Sequence, residues 1–194
     1  MTFTLDSART AVLSMDCQSG IVAAYAKDQE AFVARAASVL KHARGRRMNV
    51  VHVQVGFRPN FPEIGSRNAL FSAIKSSPQY QKMFQGAGAA IHPVLAPEQD
   101  DIVVTKHRVS AFLGTDLEMI LRAKEIDTLV LYGIATSGVV LSTLLEAADL
   151  DYRLAVISDC CGDLDPEVHS CLMDKVFPRR ATILTAAEFI AASS

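Results

Sequence analysis

A chain of 194 residues is long enough for one well-packed domain and short for two. Half of it is hydrophobic and 21% charged, and the net charge of −2 offers no footprint for nucleic acid or an anionic membrane. No apolar run approaches the ~20 residues of a membrane-spanning helix, and the N-terminus lacks the regions of a secretory signal, so a cytoplasmic protein is expected.

From the N-terminus, the spacing predicts strands over 10–15, 49–55, 102–105, 128–132, 153–158 and 181–185. They are short, rich in Val, Ile and Leu, and bounded by Gly, Asp or Pro, as strands buried on both faces should be. Helices are predicted over 29–44, 115–124, 137–150, 166–176 and, briefly, 186–191. In the second, Leu117, Ile120 and Leu121 share a face and Asp116 suits the first turn. The stretch 56–100, with its prolines and a Gly86-Ala87-Gly88-Ala89-Ala90 run, is either a lid with short helices or a partner-binding segment.

Strand and helix alternation implies parallel pairing through right-handed crossovers. The predicted fold is a three-layer α/β/α, Rossmann-like domain over 1–194 with a mostly parallel six-stranded sheet. No linker or repeat divides it.

In such sheets ligands bind beyond the carboxyl ends of the strands. Asp16, Gly56 to Arg58, Lys106 and the turn from Gly133 to Val139 all lie just past such ends, so they can converge. The run from Leu129 through Thr136 to Val140 reads as a buried strand, a small-residue turn and a helix start. That places backbone N–H groups and a positive helix end near Val139, where an anion or oxyanion would be held.

The four cysteines, Cys17, Cys160, Cys161 and Cys171, contain no CxxC pair. Cys17 follows Asp16 and in extended geometry points to the opposite face. All four are expected to be reduced, and Cys171 to be a small buried residue on its helix. His107 is expected to lean into the opposite layer.

These pieces resemble the isochorismatase-like hydrolases, a superfamily that includes nicotinamidases and other cysteine hydrolases. The matching segments are Leu13 to Gln18, Thr105 to Phe112 and Gly133 to Ser137, with Ala90-Ile91-His92-Pro93 and Ser158-Asp159-Cys160-Cys161. Their order and spacing carry the likeness over nearly the whole chain.

The resemblance implies that Asp16 is the catalytic acid/base carboxylate and Lys106 its ammonium partner. It implies a cis peptide at Ile134-Ala135 and backbone donors near Ala135 and Val139. Val139 stands where cysteine members place their nucleophile. The nicotinamidase Asp-x-His metal pattern is replaced by Val53-Gln54-Val55-Gly56-Phe57-Arg58, so no metal and no cofactor are expected.

True isochorismatases also lack the cysteine. The implied activity is therefore hydrolysis of a small, anionic or carbonyl-bearing metabolite by non-covalent, Asp-assisted chemistry. The alternative is a pseudoenzyme that binds a ligand or partner through the retained pocket. Gln18, Phe57, Arg58, Arg108 and Phe112 are the candidate substrate contacts, with Lys106 and Arg108 suited to substrate carboxylates. Arg58 reads equally as a solvent-facing loop residue, and Phe112 as packing. A homo-oligomer, dimer or tetramer, is the implied assembly.

Overall fold

The computed structural model describes residues 5–192; Met1 to Thr4, on which part of the leader reading rests, lie outside them. The strands are β1 (Thr10–Met15), β2 (Asn49–Val55), β3 (Ile102–Lys106), β4 (Thr128–Ile134), β5 (Arg153–Gly162) and β6 (Thr182–Leu184). They form a parallel sheet in the order β3-β2-β1-β4-β5-β6. Every residue of β1 and β4 is buried, which requires a covering layer on both faces. The edge strand β3 is half open, with Val104 and Lys106 buried and Val103 and Thr105 exposed.

The helices are α1 (Ser19–Tyr25), α2 (Gln29–Gly45), α3 (Ala69–Ser76), α4 (Pro78–Met83), α5 (Gly86–Ala89), α6 (Leu117–Ala123), α7 (Leu141–Asp149), α8 (Pro166–Cys171) and α9 (Ala186–Ala192). Asp28 caps α2 by accepting from the Ala31 N–H, and Asn68 caps α3 by accepting from Phe71. None of the helices is long and apolar enough to cross a membrane, among the described residues.

Three expectations change. The first is α1, which the patterning missed. The expected helix over 137–150 is the second: a wide turn over Thr136–Val140 comes first, with Gly138 far from helical geometry, and α7 proper starts at Leu141. The helix expected over 166–176 is present throughout, and the change there is only that its turns widen over Leu172–Val176 after α8. The stretch 56–100 contains the three short helices α3, α4 and α5.

The chain moves outward from β1 to β2 and β3, then returns to place β4 on the other side of β1. The order therefore reverses between β1 and β4, where a crevice opens at the carboxyl ends. Here the backbones press together. Gly133 has φ +147, and a Cβ built on it falls 2.0 Å from the Met15 carbonyl oxygen. Only glycine fits there. One residue on, Asp16 turns out of β1 with φ 54 while its N–H donates to the Val53 carbonyl at 2.8 Å.

The segment over the crevice is tied down by backbone and amide bonds. The Ser19 N–H donates to the Ala90 carbonyl, and the His92 N–H to the Cys17 carbonyl. Between them the Gln18 amide donates to the carbonyls of Val55 and Ala89 and accepts from the Val55 N–H.

Candidate active site

Asp16 and Lys106 meet although a whole strand separates their own. Lys106 is the last residue of β3, in register with Val55 of β2, and its stem spans β2 to reach the end of β1. Its Nζ lies 2.9 Å from Asp16 Oδ2, with both side chains buried. Nζ also donates to the Arg108 carbonyl at 3.0 Å. Asp16 Oδ1 has no hydrogen-bond partner in the protein.

Burial holds the Asp16 carboxyl above its ordinary value; the Lys106 charge and hydrogen bond oppose that shift without cancelling it. One oxygen of this carboxyl is thus held by an ammonium, and the other is buried without a partner in the protein.

Asp16 and Lys106 line a cavity of about 520 Å³ at the crevice. Ala135, Ser137, Gly138 and Val139 form the wall from β4 and the following turn, and the Ile134–Ala135 peptide is cis. The turn is held from the far side by the loop after β5. The Ser137 N–H donates to Asp163 Oδ2 at 2.7 Å, and the Thr136 hydroxyl contacts His169 Nδ1 and the Gly162 carbonyl.

The positive end expected at Val139 is therefore altered in two ways. The helix starts later, and one N–H of the turn already carries the chain's own carboxylate.

The five residues expected at the substrate are not among those lining this cavity. Gln18 is fully buried, its amide consumed by backbone partners. Arg58 has a side chain 69% exposed and pairs with Glu63. The Arg108 guanidinium donates to the His107 and Glu63 carbonyls and lies over the Phe71 ring. Phe57 packs among Phe61, Phe71 and Phe84. Phe112 is buried against Tyr152. The His107 Nδ1 meets the Gly56 carbonyl at 2.6 Å.

Cys17, Cys160 and Cys161 are buried, and burial pushes the Cys17 and Cys161 thiols up to about 12 and that of Cys160 up as well. Cys171, expected to be buried, is exposed because it ends α8 on the outer side. Brief native alkylation should therefore modify Cys171 first and leave any turnover intact. Mass spectrometry of the labelled protein checks this, and loss of activity in step with Cys17 labelling would refute it. Among the described residues, no three His, Cys, Asp or Glu side chains gather as a metal-ligand set.

The sequence matches a known domain: the Isochorismatase domain model covers residues 10–188. The chain belongs to the isochorismatase family. Within that family, the uncharacterized protein YwoC of Bacillus subtilis is 32% identical over 196 residues, covering 97% of this chain and 96% of its own. Maleamate amidohydrolase of Pseudomonas putida is 28% identical over 162 residues, covering 83% of this chain and 74% of the relative. The structure of an isochorismatase family protein from Burkholderia thailandensis superposes with a TM-score of 0.85 at 30% identity, over 97% of each chain.

Other side chains lining this isochorismatase-family cavity, which the sequence reading missed, are on α1, α3, α4 and the loop after β5. They include Tyr25, Leu70, Ile74, Tyr80, Met83 and Asp163. The one signal for them was the apolar spacing of Leu70, Phe71 and Ile74 within the long connection. It gives a helix one apolar face but does not say what that face covers.

Proposed function

We propose that this isochorismatase-family chain is a hydrolase of a small carbonyl- or enol-ether-bearing metabolite that works without a covalent thiol intermediate. In this reading Asp16 Oδ1 exchanges the proton, taking it from water as the oxygen adds or delivering it to the substrate as the bond breaks. Lys106 fixes Oδ2 and balances its charge. Backbone N–H groups near Ala135 and Val139 stabilise developing negative charge. Neither metal nor cofactor has a part in this scheme.

The observation that carries the reading is the divided Asp16 carboxyl, with one oxygen on Lys106 and the other without a partner, beside a cavity. Kinship to maleamate amidohydrolase supports hydrolysis as the reaction class. Val139, standing where the resemblance puts a nucleophile, and the three buried, high-pKa thiols support a route that avoids sulfur.

Val139 also favours a second reading, a ligand-binding module that keeps the pocket and has no turnover. A hydrolase screen over amides, esters and vinyl ethers, run with wild type and Asp16→Asn in parallel, separates the two. Turnover in wild type that falls by about 10²-fold or more in Asp16→Asn is expected from losing a positioned acid–base group. Equal activity in both proteins would rule out Asp16 as the proton-transfer group, and no activity in either would favour the binder.

A further inference from the structure

The cavity beside Asp16 is walled mainly by carbon. Leu70, Phe71, Ile74, Tyr80, Met83 and Phe84, from α3, α4 and the residue after it, form its outer wall. The charged side chains on its surface are Asp16, Lys106 and Asp163, so Lys106 is the one basic group there among the described residues. That ammonium is already engaged by Asp16 Oδ2 at 2.9 Å and the Arg108 carbonyl at 3.0 Å.

Two guanidinium groups that follow the ends of β2 and β3 are turned elsewhere, Arg58 to Glu63 and Arg108 to the His107 and Glu63 carbonyls. The turn that would offer N–H groups to an anion carries the Asp163 carboxylate on Ser137 N. Among the described residues of its lining, a substrate carboxylate entering this space would leave water and find two acidic side chains and a single cation already paired with one of them.

We propose that the cavity selects neutral, apolar substrates, amides, esters or enol ethers with an aromatic or branched aliphatic body, and excludes carboxylate-bearing ones. This names the substrate class for the hydrolase reading and rests on it for the reaction; the ligand preference itself rests on the cavity alone. A volume of about 520 Å³ is in the range of small-molecule sites, and their usual design is an apolar body with a few convergent polar groups. Here Asp16 and Lys106 supply those groups at one end.

The test uses benzamide and benzoate, which share a ring and differ in charge. Each is titrated into the full-length protein by calorimetry or saturation-transfer NMR. Benzamide is expected to bind at least tenfold more tightly. Leu70 is 58% exposed on the cavity wall, so Leu70→Lys adds a cation there without opening the core. It should shift the ratio toward benzoate by tenfold or more, and less so at high salt.

Benzoate binding as tightly as benzamide to wild type would overturn the proposal. So would binding of neither compound, or a ratio that Leu70→Lys leaves unchanged. A screen without turnover but with this preference intact would remove the hydrolase reading and leave the neutral, apolar pocket standing. Turnover confined to carboxylate substrates would do the reverse.

Discussion

Lys106→Met is expected to destabilise the protein by about 3–5 kcal/mol at neutral pH, the usual effect of breaking a buried ion pair by removing one partner. Methionine keeps most of the apolar stem, so the loss reports charge and hydrogen bonding more than volume. Two groups are left behind in the variant. Asp16 keeps its burial without its ammonium, and the Arg108 carbonyl loses its donor.

The pH dependence follows from the raised Asp16 carboxyl, whose ordinary value is 3.8. A group harder to ionise in the fold than in the unfolded chain costs nothing while both states hold the proton. It lowers stability as pH climbs through the window between the two values, and the cost is constant above it. Removing Lys106 raises the folded value further and extends the window upward. The variant's deficit should thus be smallest in acid, grow with pH, and level off once Asp16 is ionised in the variant too. Urea unfolding across pH 3–9 measures this directly. The carboxyl-linked limb of any pH–rate profile should move to higher pH in parallel. A deficit that does not change with pH, together with an unmoved limb, would mean that Asp16 and Lys106 do not interact.

The strands were legible because their burial is nearly complete. A segment such as Leu129-Val130-Leu131 between polar or glycine residues has one stable place, the interior of a parallel sheet covered on both faces. The ends were less legible. β5 runs on to Gly162 through Ser158 and Asp159, polar residues that pattern reading treats as a stop. Their polar groups are satisfied locally: the Ser158 hydroxyl donates to the Leu184 carbonyl, and Asp159 accepts from the Ala186 N–H.

α1 stayed hidden for a related reason. Its N-cap residue, Gln18, makes no capping bond, because its amide instead ties β2 to the segment before Ile91. The capping signal that would announce the helix is absent from the sequence.

The site divides along the same line. Asp16, Lys106, Ala135 and Val139 follow directly from strand ends, and the topology that brings strand ends together is a property of the whole pattern. Arg58, Arg108, Phe57 and Phe112 lie in loops, whose side-chain direction is set by contacts far off in sequence. Glu63 is the clearest instance. Its carboxylate binds Arg58 and its carbonyl accepts from Arg108, so one residue engages both arginines expected at the substrate.

Gly133→Ala should be among the most damaging single-methyl additions in the chain. The added Cβ would sit 2.0 Å from the Met15 carbonyl oxygen and 2.8 Å from its carbon, both backbone atoms. No flexible side chain can move aside, so β1 and β4 would have to separate or slide at their register pair Met15 and Gly133. A φ of +147 is also a conformation that L-residues rarely adopt. The two penalties act together, and a stability loss of about 4 kcal/mol or more is expected, in the range reserved for strain at special backbone positions and core overpacking.

Gly86→Ala is the control. There φ is +55 and nothing lies within 4 Å of the added Cβ, so only the local left-handed penalty of about 1–2 kcal/mol applies. The difference between the two variants in urea unfolding isolates the contact between the strands. Functional loss should accompany it, because Asp16 leaves β1 at the next residue and faces the Ala135 to Val139 turn across the cavity only while β1 and β4 keep this spacing. Equal stability losses in the two variants would show that Gly133 is kept for backbone freedom alone, and that the strands have room to part without moving the carboxyl.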